Sequence, residues 1–251
     1  MTKLTEKEER ARARVCLALD TPTVEQALQM AHELSELVGT FKVGKQLHTA
    51  ACNEGVPIVA RIREAGGNTF LDLKLHDTPN TVYQAARAAT VPGVYMFNIH
   101  IAGGEEMCKK ALEGAYEATS ERRFKVPKVI GVTVLTSLDD DDLSTQGLGI
   151  GYDDLVMRRT ELARKWGLDG IVCPANKAGE LEKRFGSNFI YVTPGIKWAG
   201  KQGTGQKQLY TPDRAIQDCF SSILVVGSAI TKAENQRQTA YDILQAMARE
   251  L

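Results

Sequence analysis

No sign of charge predominates in this chain: Lys plus Arg and Asp plus Glu each number 31 among 251 residues, so the formal net charge is zero. That balance removes the electrostatic footprint of a nucleic-acid binder or a membrane-surface protein. The N-terminal stretch MTKLTEKEERARARV is dense in charge and has no apolar core, which argues against a signal peptide or membrane anchor. Cysteine is sparse and unpatterned. Cys16, Cys52, Cys108, Cys173 and Cys219 include no C-x-x-C pair, and an odd, dispersed set reads as reduced thiols in a cytoplasmic protein. No base is identifiable beside Cys173, so packing is its expected role. His76 and His100 have no carboxylates at metal-ligand spacing and are expected to be packed, hydrogen-bonded residues. LDDDDL (138–143) lacks the glycine and spacing of a calcium loop and reads as a solvated loop or helix start. Nothing in the composition suggests disorder, and no linker divides the chain.

What is present is a regular alternation. Short aliphatic runs predict strands at 14–19, 40–43, 69–74, 94–100, 128–135, 170–173, 189–192 and 222–227. Amphipathic segments lie between them, for example TVEQALQMAHELSEL, with Ala27, Leu28, Ala31, Leu34 and Leu37 on one stripe. Strands that each lead into a helix imply parallel pairing with right-handed crossovers. The expected fold is α/β, a single (β/α)8 TIM barrel spanning residues 1–251, with the N-terminal TEKEERARA as a short helix capping the closed end. Such barrels typically run to ~250 residues. A doubly wound open sheet is the structural alternative.

The stretch TFLDLKLHDTPNTV (69–82) carries the chemistry. Leu71, Leu73 and Leu75 fall on one face of a strand, and Asp72 and Lys74 on the other. Two facing charges are expensive to bury unless they neutralise each other or take part in a reaction. In a barrel they would sit at the C-terminal mouth, where catalytic residues gather. HDTPNTV then turns into a helix, with Thr78 as candidate N-cap, Pro79 at the first helical position and Asp77 in the turn. By the same alternation Asp20 ends the first strand facing inward, and Lys42 points inward from the second. Lys42 and Lys74 would therefore meet Asp72 and Asp77 in one cluster of alternating sign.

DLKLHDTPNT resembles the D-x-K-x-x-D signature of the orotidine 5′-monophosphate decarboxylase family. LALD, FKVGK, NIHIAGG, VTVLTS, GLDGIVC, VTPGI and VVG follow in that family's order. The resemblance implies decarboxylation of orotidine 5′-monophosphate to UMP in pyrimidine biosynthesis, with no cofactor and no metal. Lys74 would stabilise and protonate the C6 carbanion, and Asp72 would lie beside the substrate carboxylate. Lys42 and Asp20 would bind ribose hydroxyls, Thr136 would touch the pyrimidine, and Gln206 would contact the phosphate. Asp77 and Thr81 would reach across a homodimer interface into the neighbouring site. The resemblance also has gaps. Ser228, after Gly227, stands where most relatives carry a phosphate-binding arginine, and Lys197 stands where an arginine is common. The backbone N–H groups of Gly227 and Ser228 remain for the phosphate, with Lys197 or Lys207 expected to supply the charge. Two other functions stay open: a magnesium-dependent sugar-phosphate decarboxylase or hexulose-phosphate synthase relative, and a nucleotide-binding barrel without catalysis.

Overall fold

The aliphatic runs form parallel strands that pair in sequence order and close on themselves, β1 (Val15–Ala18), β2 (Thr40–Gly44), β3 (Asn68–Leu75), β4 (Val94–His100), β5 (Lys128–Val132), β6 (Gly170–Val172), β7 (Ile190–Ile196) and β8 (Ser222–Val226). The structure is a computed structural model that describes residues 4–198, 210–220 and 222–251. Closure comes from β8 pairing with β1, Leu224 opposite Val15 and Val226 opposite Leu17. The molecule is a (β/α)8 barrel, not an open sheet.

The period-two alternation splits the apolar residues into two clusters. Cys16, Ala18, Phe70, Met96, Ile130, Val192, Ile223 and Val225 fill the barrel interior. Leu17, Phe41, Val43, Leu71, Phe97, Ile99, Ile171, Tyr191 and Leu224 point outward and pack against the helices. Glycine lets neighbouring strands pair closely. Gly170 lies so close to β7 that an added Cβ would come within 2.3 Å of the Ile190 carbonyl oxygen.

Helix starts follow local chemistry. Thr23 caps Val24–Leu34 by accepting from Gln26 N–H, and Asn235 caps Gln236–Arg249 by accepting from Gln238 N–H. Asp139 forms a capping box with Asp142, so the acidic run opens the helix Asp140–Thr145. The helix Glu6–Arg12 lies beneath the strand N-termini. Arg12 carbonyl accepts from Gly39 N–H and Arg14 carbonyl from Leu224 N–H.

Two strands differ from their sequence expectation by more than one residue at an end. β5 stops at Val132 rather than reaching Leu135, because its partner β6 offers only Gly170–Val172 for pairing. β7 runs past Val192 to Ile196, carrying Pro194 and Gly195 within a register shift between Thr193 and Ile196. Proline has no N–H to give a ladder, and at such an irregularity none is needed. Gly195 takes φ 81°, which suits glycine.

Candidate active site

Lys42, Asp72 and Lys74 meet at the C-terminal mouth of the barrel in a ladder of alternating charge. Asp20, just past β1, accepts from Lys42 Nζ at 3.2 Å. Lys42 Nζ also lies 3.4 Å from Asp72 Oδ2, and Asp72 Oδ1 accepts from Lys74 Nζ at 2.6 Å. Exposure is lowest in the middle of this ladder: the Asp20 side chain is 63% exposed, Lys42 and Asp72 each 13%, and Lys74 28%. Burial pulls the Lys42 ammonium down, but the Asp72 and Asp20 carboxylates outweigh it and hold the group above its ordinary value. Lys42 is therefore a fixed cation at neutral pH. In this chain the second carboxylate beside the lysines is Asp20. Asp77 does not join them: it is exposed, and its Oδ1 accepts from Thr78 N–H at 2.6 Å. Its carboxylate is thus held by the turn that opens the helix Pro79–Ala89. Thr78 occupies the N-cap position without a side-chain cap bond, its hydroxyl paired with that of Thr81 at 2.9 Å. Thr81 is exposed on that first turn.

Lys42, Asp72 and Lys74 line one wall of a cavity of about 140 Å³, a size that elsewhere accommodates a single aromatic ring. Phe70 and Val225 form part of its floor, and Val132, Val134, Leu135, Thr136, Val172, Val192 and Pro194 complete it. Apolar walls around one charged edge suit a flat heterocycle with a single reacting side. Thr136 brings a hydroxyl to that cavity. Gly227 follows β8 at the same mouth, beside Ala18 of β1, and Ser228 is exposed after it. Lys197 is half-buried at the end of β7, its backbone N–H donating to Tyr210 carbonyl. Gln206 and Lys207 lie outside the described residues.

The sequence reading missed Asn98. This residue is fully buried in β4, its Nδ2 donating to Asp72 Oδ1 at 2.7 Å and its Oδ1 accepting from Lys74 N–H at 2.7 Å. The signal was available: Met96, Asn98 and His100 share the inward face of β4, and an amide there needs partners. Further along that face, His100 sits 5.2 Å from His76, ring to ring. Burial, reinforced by His76, Lys74, Lys45 and Arg159, lowers His100 to about 4, so it is neutral at pH 7. His76 is exposed rather than packed. Arg159 spends its guanidinium on the Thr133 carbonyl at 2.5 Å, bracing the segment that carries Thr136. Among the described residues, no group of three or more His, Cys, Asp or Glu side chains is placed to hold a metal ion. Cys16, Cys108, Cys173 and Cys219 are buried, and burial raises the Cys173 thiol well above its ordinary value, which suits packing rather than attack.

The family described as "Orotidine 5'-phosphate decarboxylase / HUMPS family" matches residues 13–243, from the start of the barrel into its last helix. The chain belongs to that family. Curated relatives named orotidine 5'-phosphate decarboxylase match more than nine-tenths of the chain. The Heliobacterium modesticaldum protein is 38% identical over 244 residues, covering 96% of this chain and 98% of the relative. The Alcanivorax borkumensis protein is 40% identical over 234 residues, covering 93% and 97%. A solved structure of orotidine 5'-phosphate decarboxylase from Lactobacillus acidophilus superposes with a TM-score of 0.80 at 31% identity, covering 93% of this chain and 98% of that one. In this chain the charged ladder runs from Asp20, after β1, through β2 to β3, and Ser228 stands at the mouth of β8. No helix among the described residues is long and apolar enough to cross a membrane.

Proposed function

We propose that this chain decarboxylates orotidine 5′-monophosphate to UMP, and that Lys74 is the group that makes the step possible. The observation that carries this reading is the Asp20–Lys42–Asp72–Lys74 ladder, whose last ammonium lines a ring-sized apolar cavity. The C6–carboxylate bond breaks, CO2 departs, and the electron pair stays on C6 in the plane of the ring, where the π system does not delocalise it. A positioned cation beside that carbon is the stabilisation available. The Lys74 ammonium then gives its proton to C6 and is reprotonated from water.

Asp72 has two tasks in this reading. It holds Lys74 in place, and it faces the substrate carboxylate. Two like charges about 4 Å apart repel by about 4 kcal/mol at an effective dielectric near 20, and that repulsion is relieved as CO2 leaves. Preorganisation of Lys74 is the larger part, because the Asp72 charge is already offset by the Lys74 and Lys42 ammoniums and the Asn98 amide. Lys42 and Asp20 bind ribose hydroxyls, and Thr136 hydrogen-bonds the pyrimidine. Asp77 and Thr81, exposed and outside the ladder of their own chain, serve the site of a second copy in a homodimer. The phosphate is held by the backbone N–H groups of Gly227 and Ser228, with Lys197 or Lys207 supplying the charge and Gln206 contacting it as the family resemblance implies. No cofactor or metal takes part, and the setting is the cytoplasm.

The test is to mix the purified chain with orotidine 5′-monophosphate in EDTA and follow the pyrimidine absorbance, with Lys74→Ala beside it. Rapid loss of the orotate band that the substitution abolishes is the expected result. No turnover with tight UMP binding would favour a nucleotide-binding barrel. Turnover of a sugar phosphate only when magnesium is restored would favour the hexulose-phosphate synthase type of chemistry.

A further inference from the structure

The β3–β4 ladder is interrupted where the site begins. Leu71 stands opposite Phe97 and Leu75 opposite Ile99, so Asp72, Leu73 and Lys74 together face Asn98 alone. Extra residues of this kind bulge out of the ladder and lose their backbone partners. Within the bulge Lys74 adopts φ 52°, in the left-handed region. A lysine keeps that conformation only where its surroundings hold it.

Asn98 provides the hold. Its buried side chain accepts from Lys74 N–H and donates to Asp72 Oδ1, each at 2.7 Å. The partners settle the orientation of the amide, since an N–H needs an acceptor and a carboxylate oxygen needs a donor. One side chain thus replaces the missing ladder carbonyl and also pins the carboxylate that grips Lys74 Nζ. Backbone and side chain of the same lysine are tied through a single amide.

We propose that Asn98 is a positioning residue for the decarboxylation, holding Lys74 in its left-handed bulge so that the ammonium faces the cavity. This inference rests on the reading of Lys74 as cation and proton donor. Removing the amide frees the Lys74 backbone and leaves Asp72 Oδ1 to a single lysine, so the ammonium wanders while the cavity walls stay in place. A misplacement of about 1 Å in a reacting group costs on the order of 100-fold in rate. The apolar ring-binding surface comes from Phe70 of β3, from β5 and the segment after it, and from β6, β7 and β8, and the Asn98 amide bonds to none of these residues.

A charged replacement gives a sharper readout. In Asn98→Asp the new carboxyl can accept from Lys74 N–H but meets Asp72 Oδ1 with a second oxygen, so the pair must share a proton to keep the geometry. Carboxyls that share a site titrate as a unit with one value raised. The charged and titratable groups around this point are Cys16 on β1, Lys42 on β2, Asp72 and Lys74 on β3, Asp20 after β1 and His100 on β4, with His76, Lys45 and Arg159 beyond His100. On the β5 side the register partner is apolar Ile130.

The experiment measures kcat and KM for orotidine 5′-monophosphate, UMP affinity and thermal melting for the wild type, Asn98→Ala and Asn98→Asp. Expected for Asn98→Ala is a fall in kcat on the order of 100-fold, with UMP affinity within about threefold of wild type. Expected for Asn98→Asp is near-normal activity at acid pH that declines as pH rises through about 5 to 8, a limb added to the wild-type profile. If the wild type turns over substrate but Asn98→Ala keeps its kcat, or Asn98→Asp shows the wild-type pH profile, the positioning role is wrong. If kcat and UMP affinity fall together in step with melting, Asn98 serves the fold alone and the proposal also fails. An inactive wild type would instead overturn the decarboxylase reading on which the proposal stands.

Discussion

Replacing Asp72 by asparagine keeps the shape of the side chain and removes the charge that two lysines share. The carboxylate lies 2.6 Å from Lys74 Nζ and 3.4 Å from Lys42 Nζ. An ion pair at about 4 Å is worth roughly 4 kcal/mol at an effective dielectric near 20, so the two contacts represent about 8 kcal/mol of gross attraction. The net loss is smaller, because the freed ammoniums regain some water. Breaking a buried pair by removing one partner costs about 3–5 kcal/mol. Lys74 is 28% exposed, while Lys42 and Asp72 are 13% exposed, so the low end, about 3 kcal/mol, applies here. The new amide adds to the loss, since its NH2 group must face a donor, whether Asn98 Nδ2, Lys74 Nζ or Lys42 Nζ. For a chain of this size each kcal/mol moves the midpoint by about 2–4 °C, so Asp72→Asn should melt about 6–12 °C below the wild type. Urea unfolding followed by circular dichroism at pH 7, at one fixed protein concentration, gives the free energy directly. A change within about 0.5 kcal/mol, the range of ordinary surface substitutions, would refute the reasoning. An increase in stability would show that the fold holds these charges together against their own preference.

Two further outcomes follow from the same site. Lys42 is held above its ordinary value of 10.5, so its ion pairs contribute fully below about pH 10.5 and are lost as pH rises through the higher folded value. The stability difference between wild type and Lys42→Met should therefore stay constant from pH 8 to about pH 10 and shrink only as pH rises above about 10.5, and a difference in urea midpoint that already shrinks below pH 10 would contradict the assignment. At the phosphate end, Ser228→Arg should lower KM for orotidine 5′-monophosphate by about tenfold or more, since a charge-assisted hydrogen bond contributes about 1.5–3 kcal/mol. Lys197→Ala should raise KM, and no change in either variant would remove the β8 mouth and Lys197 from phosphate binding.

Much of this site could be read from alternation alone. Asp20, Lys42, Asp72 and Lys74 each occupy an inward position in a run whose other face is aliphatic, and the structure joins them in one ladder. Asp77 shows the limit of that reasoning. It follows β3 closely enough to be counted with the cluster, yet the turn before Pro79 points its carboxylate at Thr78 N–H. Asn98 was overlooked because a lone amide in an apolar strand carries no charge pattern; its meaning depends on what stands opposite. The extension of β7 through Pro194 and Gly195 was likewise hidden, since both residues ordinarily end a strand and only the register shift beside β8 accommodates them.

The direction of each side chain along a strand is a local matter of chirality and period, so the sequence by itself determined the two faces of the barrel, the order of its elements and the four charges turned inward. Pairing between strands is a contest among distant segments, decided by closure of the whole sheet. Only the tertiary structure could therefore decide that β3 carries three residues against one of β4, that Lys74 bends into the left-handed region, and that a buried asparagine holds it there.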